Sequence, residues 1–223
     1  MGAEVEKLRG DGSQKLLLGI DRLDYTKGIP RRLLAFEELL TRWPEWQGRI
    51  RLIQVAVPSR GGVSAYRKFR QEVHGLVGRI NGEFGTPHWV PIHYMYRGVD
   101  DVELSALYLA ADVMLVTPVR DGMNLVCKEF VASRTDDDGV LVLSEFAGAA
   151  AEMEGAIRVN PFDLAHTAEA YRAALVMSRD ERRNRMEALR KPVLENDVHR
   201  WVRTFLEALR ESGSGSDGYG EIA

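Results

Sequence analysis

The sequence predicts an α/β protein: a doubly wound, Rossmann-like domain with a parallel sheet of about six strands. Two observations carry that expectation. Short apolar runs alternate with longer stretches of helical period along the chain. The alternation forms a string of βαβ units, whose right-handed crossovers place helices on both faces of a parallel sheet. In such sheets ligands bind beyond the carboxyl ends of the strands, so function is expected in the loops that follow them.

Lys15–Ile20 (KLLLGI) reads as the first buried strand. Ile29–Trp43 follows as a helix with Leu33, Leu34, Phe36, Leu39 and Leu40 on its apolar side, and Pro30 suits its first turn because a missing N–H costs nothing there. Ile50–Val57 (IRLIQVAV) is a second strand, closed by the breaker run PSRGG. The interval from Val63 to Phe84 is a long helix with Tyr66, Phe69, Val73, Leu76, Val77 and Ile80 at helical spacing. Val90–Tyr96 reads as a strand, Asp100–Ala110 as a helix capped by Asp100 or Asp101, Val113–Val116 as a strand and Met123–Arg134 as a helix. Val140–Leu143, a small-residue helix around Gly148–Met153 and the short strand Ile157–Val159 come next. The rest reads as helix: Leu164–Met177, Asp180–Glu195 and Val198–Glu211. The expected division is a lead-in over 1–14, one Rossmann-like domain over 15–211 and a Gly/Ser-rich flexible tail over 212–223.

Composition narrows the function classes. The chain has 223 residues, of which 45% are hydrophobic and 28% charged, so it can build a core. Lys plus Arg is 30 against 33 for Asp plus Glu, a net charge of −3, which argues against a coat for nucleic acid or anionic membrane. No apolar run approaches the ~20 residues of a membrane span. The start MGAEVEKLRG lacks a signal-peptide core, and the single cysteine, Cys127, excludes an internal disulfide. These features predict a cytoplasmic protein.

Three loops carry candidate chemistry. After the first strand, Arg22 and Lys27 stand beside a helix N-terminus, which suits a phosphate or pyrophosphate; on residues alone the segment reads equally as a solvated loop with Arg22–Asp24 or Asp21–Lys27 ion pairs. No G-x-G-x-x-G follows this strand. After the second strand, Arg60 sits on a glycine-flexible loop at the same edge, which taken alone reads as a solvated turn. After the fourth strand comes TPVRDGMNLVCKE, in which Gly122 permits close backbone approach and the N–H groups of Met123, Asn124 and Leu125 suit an anion. Asp121 falls at the expected cap of the next helix. Glu129 lies eight residues on, where ~100° per residue would point both carboxylates the same way; Glu129 reads equally as the partner of a nearby base. Cys127 reads as a small packed side chain, with dipole-activated reactivity as the alternative. His74, His88, His93, His166 and His199 have no metal-ligand spacing, Ser144 is in no G-x-S-x-G elbow, and the run Arg179, Arg182, Arg183, Arg185 reads as a solvated face.

The segments RLDYTKG (Arg22–Gly28), PSRG (Pro58–Gly61), GRINGEFG (Gly78–Gly85), TPVRDGMNLVCKE (Thr117–Glu129) and VLSEFAGAA (Val142–Ala150) resemble, in order and spacing, the trehalose-6-phosphate synthases. These are retaining glycosyltransferases that join nucleotide-activated glucose to glucose 6-phosphate. The resemblance covers about Lys15 to Leu209 and implies the C-terminal, nucleotide-sugar-binding lobe of a two-lobed GT-B fold. It implies that Arg22 and Lys27 hold the donor diphosphate and, with Asp121, form the catalytic group. Asp121 would accept from donor-glucose hydroxyls, and the backbone N–H groups of Gly122, Met123, Asn124 and Leu125 would meet sugar and diphosphate. Glu129 would take the ribose, Val55, Val99, Leu104 and Val126 would surround the base, and Arg60 would reach the phosphate of glucose 6-phosphate. Cys127 departs from the expected alanine at similar volume. No metal or other cofactor is implied. The implied partners are UDP-, GDP- or ADP-glucose, glucose 6-phosphate where an acceptor lobe is present, and a homo-oligomer or a partner lobe, with no nucleic acid or membrane. Two other readings stay open: a nucleotide-sugar-binding or regulatory module without catalysis, and a pseudo-glycosyltransferase that couples cyclitols.

Overall fold

A computed structural model describes residues 2–59 and 64–213. Eight α-helices and six strands alternate in it: α1 (Gly2–Arg9), β1 (Lys15–Arg22), α2 (Ile29–Arg42), β2 (Ile50–Val57), α3 (Ser64–Phe84), β3 (Ile92–Met95), α4 (Asp101–Ala110), β4 (Val113–Val116), α5 (Leu125–Ser133), β5 (Val140–Ser144), β6 (Ile157–Val159), α6 (Leu164–Val176), α7 (Arg179–Glu195) and α8 (Val198–Gly213). The strands form one all-parallel sheet in the order β3-β2-β1-β4-β5-β6. The direction of winding reverses between β1 and β4, so the loops after these two strands flank the switch point where doubly wound sheets take their ligands.

Alternation along the strands builds two cores. Leu17, Leu52, Leu115 and Val142 face α2, α3 and α6. Leu16, Leu18, Val55, Met114 and Leu143 face the side covered by α1, α4, α5 and α7. Burial on both faces is why the strands read as continuous apolar runs. Glycine is required where layers meet closely: a Cβ on Gly28, whose φ is 68°, would lie 2.3 Å from the Thr117 carbonyl oxygen.

Several expected boundaries move. The lead-in holds α1, whose Val5 and Leu8 pack on the second core. The third strand contracts to Ile92–Met95. The small-residue segment after β5 is a 3-10 turn over Gly148–Ala151 rather than a helix. Residues 212 and 213, expected in the tail, continue α8, and 214–223 lie outside the described residues. The basic run of α7 is not a wholly solvated face. Arg182 bonds Asp138 and the Met177 carbonyl, and Arg185 reaches the Gly155 carbonyl, which pins α7 against the β5 side. No helix among the described residues is long and apolar enough to cross a membrane.

Candidate functional site

The loop after β1 is built by its own side chains. Asp24, nearly buried, caps a 3-10 turn over Tyr25–Lys27, accepting from the Thr26 N–H at 3.0 Å, the Thr26 hydroxyl at 2.9 Å and the Tyr66 hydroxyl at 3.0 Å. Burial alone would raise the Asp24 pKa, but those hydrogen bonds outweigh it and hold the carboxyl below its ordinary value. The turn delivers Lys27 to the switch point, where Nζ meets Asp121 Oδ2 at 2.6 Å with both side chains largely covered. Burial raises the Asp121 pKa as well, and the hydrogen bonds from Lys27 and Asn124 overcome it, so Asp121 is held low and ionised. Arg22 is exposed at the end of β1 and has no ion pair within 4 Å among the described residues. Neither ion pair open on the sequence forms: Lys27 turns to Asp121, and Asp21 turns inward to Arg32.

Arg32 lies on the buried face of α2 and ties the loops from beneath. Its Nη1 donates to Asp21 Oδ2 at 2.7 Å and Gln54 Oε1 at 3.0 Å, while Nε donates to Thr117 Oγ1 at 3.0 Å. A Cβ on Gly19 would come within 2.6 Å of Arg32 Nη1 and Gln54 Oε1, so that glycine makes room for the network. Burial pushes the Asp21 pKa up, against the pull of Arg32.

The loop after β4 corrects one expectation. Asp121 is not the cap of α5. It pairs as a parallel bridge with Ala147, and its N–H and carbonyl bond Phe146 and Gly148 at 3.1 and 2.9 Å. Asn124 is the cap instead, with φ 85° and its Oδ1 accepting from the Cys127 N–H at 3.1 Å. The helical angle between Asp121 and Glu129 therefore does not apply, because α5 begins at Leu125. Gly148 allows the β5 loop to approach, since a Cβ there would lie 2.1 Å from the Gly122 carbonyl oxygen. A Cβ on Gly122 itself would meet nothing within 4 Å, which leaves its outer side open. Met123 and Leu125 are exposed, Val126 is half-buried, and the first-turn N–H groups of α5 have no intrahelical acceptor.

Along α5, exposed Glu129 accepts through Oε2 from the Tyr108 hydroxyl at 2.8 Å, so its partner is a buried phenol rather than a base. Burial, then the hydrogen bond to Glu129, pushes the Tyr108 pKa far up and keeps the phenol a donor. A cavity of about 390 Å³ opens beside them, with Leu104, Tyr108 and Glu129 in its walls. Val99, Leu104 and Val126 are partly buried against one core cluster, whereas Val55 is wholly buried within it and lies beneath that surface. Cys127 is fully buried, and burial pushes its thiol up to about 12, so it is a packed side chain and not a nucleophile. Arg60 lies outside the described residues. Among the described residues no group of three or more His, Cys, Asp or Glu could hold a metal ion. Sequence reasoning missed Arg32, Gln54, Tyr108, the bond of Tyr66 to Asp24 and the capping role of Asn124; the visible signal was a polar residue inside an apolar stripe, as with Arg32 in α2 and Gln54 in β2.

A six-stranded, all-parallel sheet carrying a cation–carboxylate pair at its switch point has the architecture of a GT-B glycosyltransferase lobe. The chain belongs to glycosyltransferase family 20, whose model matches residues 3–211. It is similar to the trehalose-6-phosphate synthase of Mycobacterium avium (strain 104), 54% identical over 200 residues that make up 90% of this chain and 41% of the relative. It is also similar to the UDP-forming alpha,alpha-trehalose-phosphate synthase A of Dictyostelium discoideum, 46% identical over 91% of this chain and 28% of the relative. Two solved structures superpose with TM-scores of 0.90 at 41% identity: the Burkholderia xenovorans UDP-forming synthase in complex with glucose-6-phosphate, and an E. coli protein bound with UDP-2-fluoro glucose. This chain covers 47% and 46% of those two chains. The chain thus spans less than half the length of these relatives and corresponds to their C-terminal region.

Proposed function

We propose that this chain is the nucleotide-sugar-binding lobe of a retaining glucosyltransferase that moves glucose from a nucleotide donor, UDP-glucose in the first place, to glucose 6-phosphate, giving trehalose 6-phosphate. The observation that carries the reading is the Lys27–Asp121 pair beside exposed Arg22 at the switch point of a family 20 fold. Asp121, held ionised, accepts hydrogen bonds from hydroxyls of the donor glucose. Lys27 has further N–H donors to give to the diphosphate, and the Arg22 fork takes another of its oxygens. The open side of Gly122 and the N–H groups from Met123 to Val126 admit the sugar and diphosphate. Glu129, steadied by Tyr108, takes the ribose hydroxyls, and Val99, Leu104 and Val126 line the base with Val55 below them.

As the bond from the anomeric carbon to the diphosphate breaks, negative charge accumulates on the leaving oxygen. Two fixed cations stabilise that charge, so the chemistry of this lobe is electrostatic. The acceptor attacks from the face the leaving group departs, and the leaving phosphate takes the acceptor proton, which retains the anomeric configuration. Arg60 is assigned to the phosphate of the acceptor. The remainder of a full-length enzyme supplies most of the acceptor site. The purified chain mixed with UDP-glucose and glucose 6-phosphate is therefore expected to form UDP at a small fraction of the rate of a full-length relative. Turnover by the chain alone equal to that of a full-length enzyme would overturn the assignment as one lobe.

A further inference from the structure

The amino-terminal end of the sheet holds a second cavity, of about 390 Å³, between the α1–β1 connection, the start of β2 and the segment leading into β3. Its walls include Arg9, Asp11, Arg51, His88, Trp89 and His93. Arg51 opens β2 in register with Leu16, whereas Val57 at the other end of the strand pairs with Arg22. Six residue steps of ~3.3 Å separate the two ends, so this cavity lies ~20 Å from the diphosphate loop.

The cations here are short of partners. Arg51 is half-buried, its Nε is enclosed without a hydrogen-bond partner, and no carboxylate lies within 4 Å of Arg51 or Arg9 among the described residues. Arg9 makes a single long contact, 3.4 Å to the Leu109 carbonyl. Asp11, the carboxylate in the wall, accepts through Oδ1 from the Ser13 N–H at 2.9 Å and from the Ser13 hydroxyl at 2.6 Å. A half-buried guanidinium that feels the charge of Asp11 but makes no ion pair with it still favours an anion, because part of the desolvation cost is already met in the fold. The Trp89 indole N–H is committed to the Ile50 carbonyl at 2.8 Å, so its ring offers an apolar wall rather than a donor. Burial and the charge of Arg51 hold His93 below its ordinary pKa, which leaves a neutral imidazole beside the cations.

We propose that this cavity is a second anion site, taking the phosphate group of a small phosphorylated molecule against Arg51 and Arg9 with its organic part toward Trp89. The planar guanidinium fork matches phosphate oxygens, and the volume suits a small-molecule ligand. The site is independent of the donor site and of the reading given to it.

The test is a titration of the 223-residue chain with inorganic phosphate at constant ionic strength, followed by two-dimensional ¹⁵N NMR with sodium chloride as the control. Saturable shifts are expected at the Trp89 indole and the His93 amide. Arg51→Gln should weaken phosphate there at least tenfold and Arg9→Gln several-fold, while shifts at Lys27 and Gly28 persist in both variants. Arg9 is exposed, so its variant keeps the test decisive if Arg51→Gln does not fold. No saturable shift at Trp89, equal shifts with chloride, or unchanged affinity in the folded variants would overturn the proposal.

Discussion

Tyr108 fixes one oxygen of Glu129 from inside the core, so the carboxylate is oriented by the fold itself, which suits the ribose role proposed for it. Tyr108→Phe removes a hydrogen bond to a charged group, which is worth about 1.5 kcal/mol or roughly tenfold in affinity. Calorimetry should record that loss for UDP and none for pyrophosphate, which has no ribose; equal losses for both would remove Tyr108 from this role. Arg32 is the other residue on which the site leans. Arg32→Met leaves Asp21 buried without its partner and should cost about 3–5 kcal/mol in urea unfolding, with part of it restored by adding Asp21→Asn. A cost below 1 kcal/mol would mean that the buried pair holds nothing in place. At this scale Arg22, Lys27 and Asp121 stood out as charged residues in the loops after parallel strands, while the roles proposed for them and for Glu129 came from the family resemblance. Their partners were not legible, since a cation such as Arg32 in a stripe with Leu33 and Phe36 reveals its purpose only when Asp21 of β1, Gln54 of β2 and Thr117 after β4 converge on it.

Among the elements, strands and long helices were legible because burial on both sheet faces leaves apolar runs, and helices on the sheet leave a stripe. What sequence pattern misplaced is the start of α5. Asp121 looks like a cap, but pairing with Ala147 extends the backbone through it, and Asn124 at positive φ begins the helix. Tertiary pairing overrode a local capping preference. The same pairing holds the β4 and β5 loops together at the site. The last helix behaves differently from the others: Val198, Trp201, Val202, Phe205, Leu206 and Leu209 are all exposed on α8. Their spacing of three and four gives an apolar face that adds nothing to the core of this chain. Trp201→Ser with Phe205→Ser should therefore shift the melting temperature by no more than about 2 °C, as expected of surface changes. A fall of 8 °C or more would show that the face is packed in solution.

For the whole molecule, the net charge of −3 conceals local cations at both ends of one sheet, Arg22 and Lys27 at one and Arg9 and Arg51 at the other. It also conceals carboxylates whose ionisation stabilises the fold. Asp24, Asp121 and Asp138 are all held below the ordinary aspartate value, where burial is outweighed by hydrogen bonds. The native state then binds fewer protons than the unfolded chain, so their contribution is complete above the unfolded value of ~3.9 and fades as pH falls through their lower native values. Urea midpoints should decline below about pH 4, and less steeply for Asp121→Asn than for the parent; an identical decline would contradict the assigned pairing. The doubly wound parallel class was legible from the succession of βαβ units; the strand order with its switch between β1 and β4, and the ion pair that closes the switch, were not, because Lys27 and Asp121 are brought together by the fold alone. The most direct measurement is calorimetric titration of the chain with UDP-glucose and UDP, repeated with Lys27→Ala and Arg22→Ala. Saturable binding by the parent chain, weakened by ~1–3 kcal/mol in each variant, is the predicted result. Absence of binding by the parent, or equal affinity in all three proteins, would contradict the assignment of this edge as the donor site.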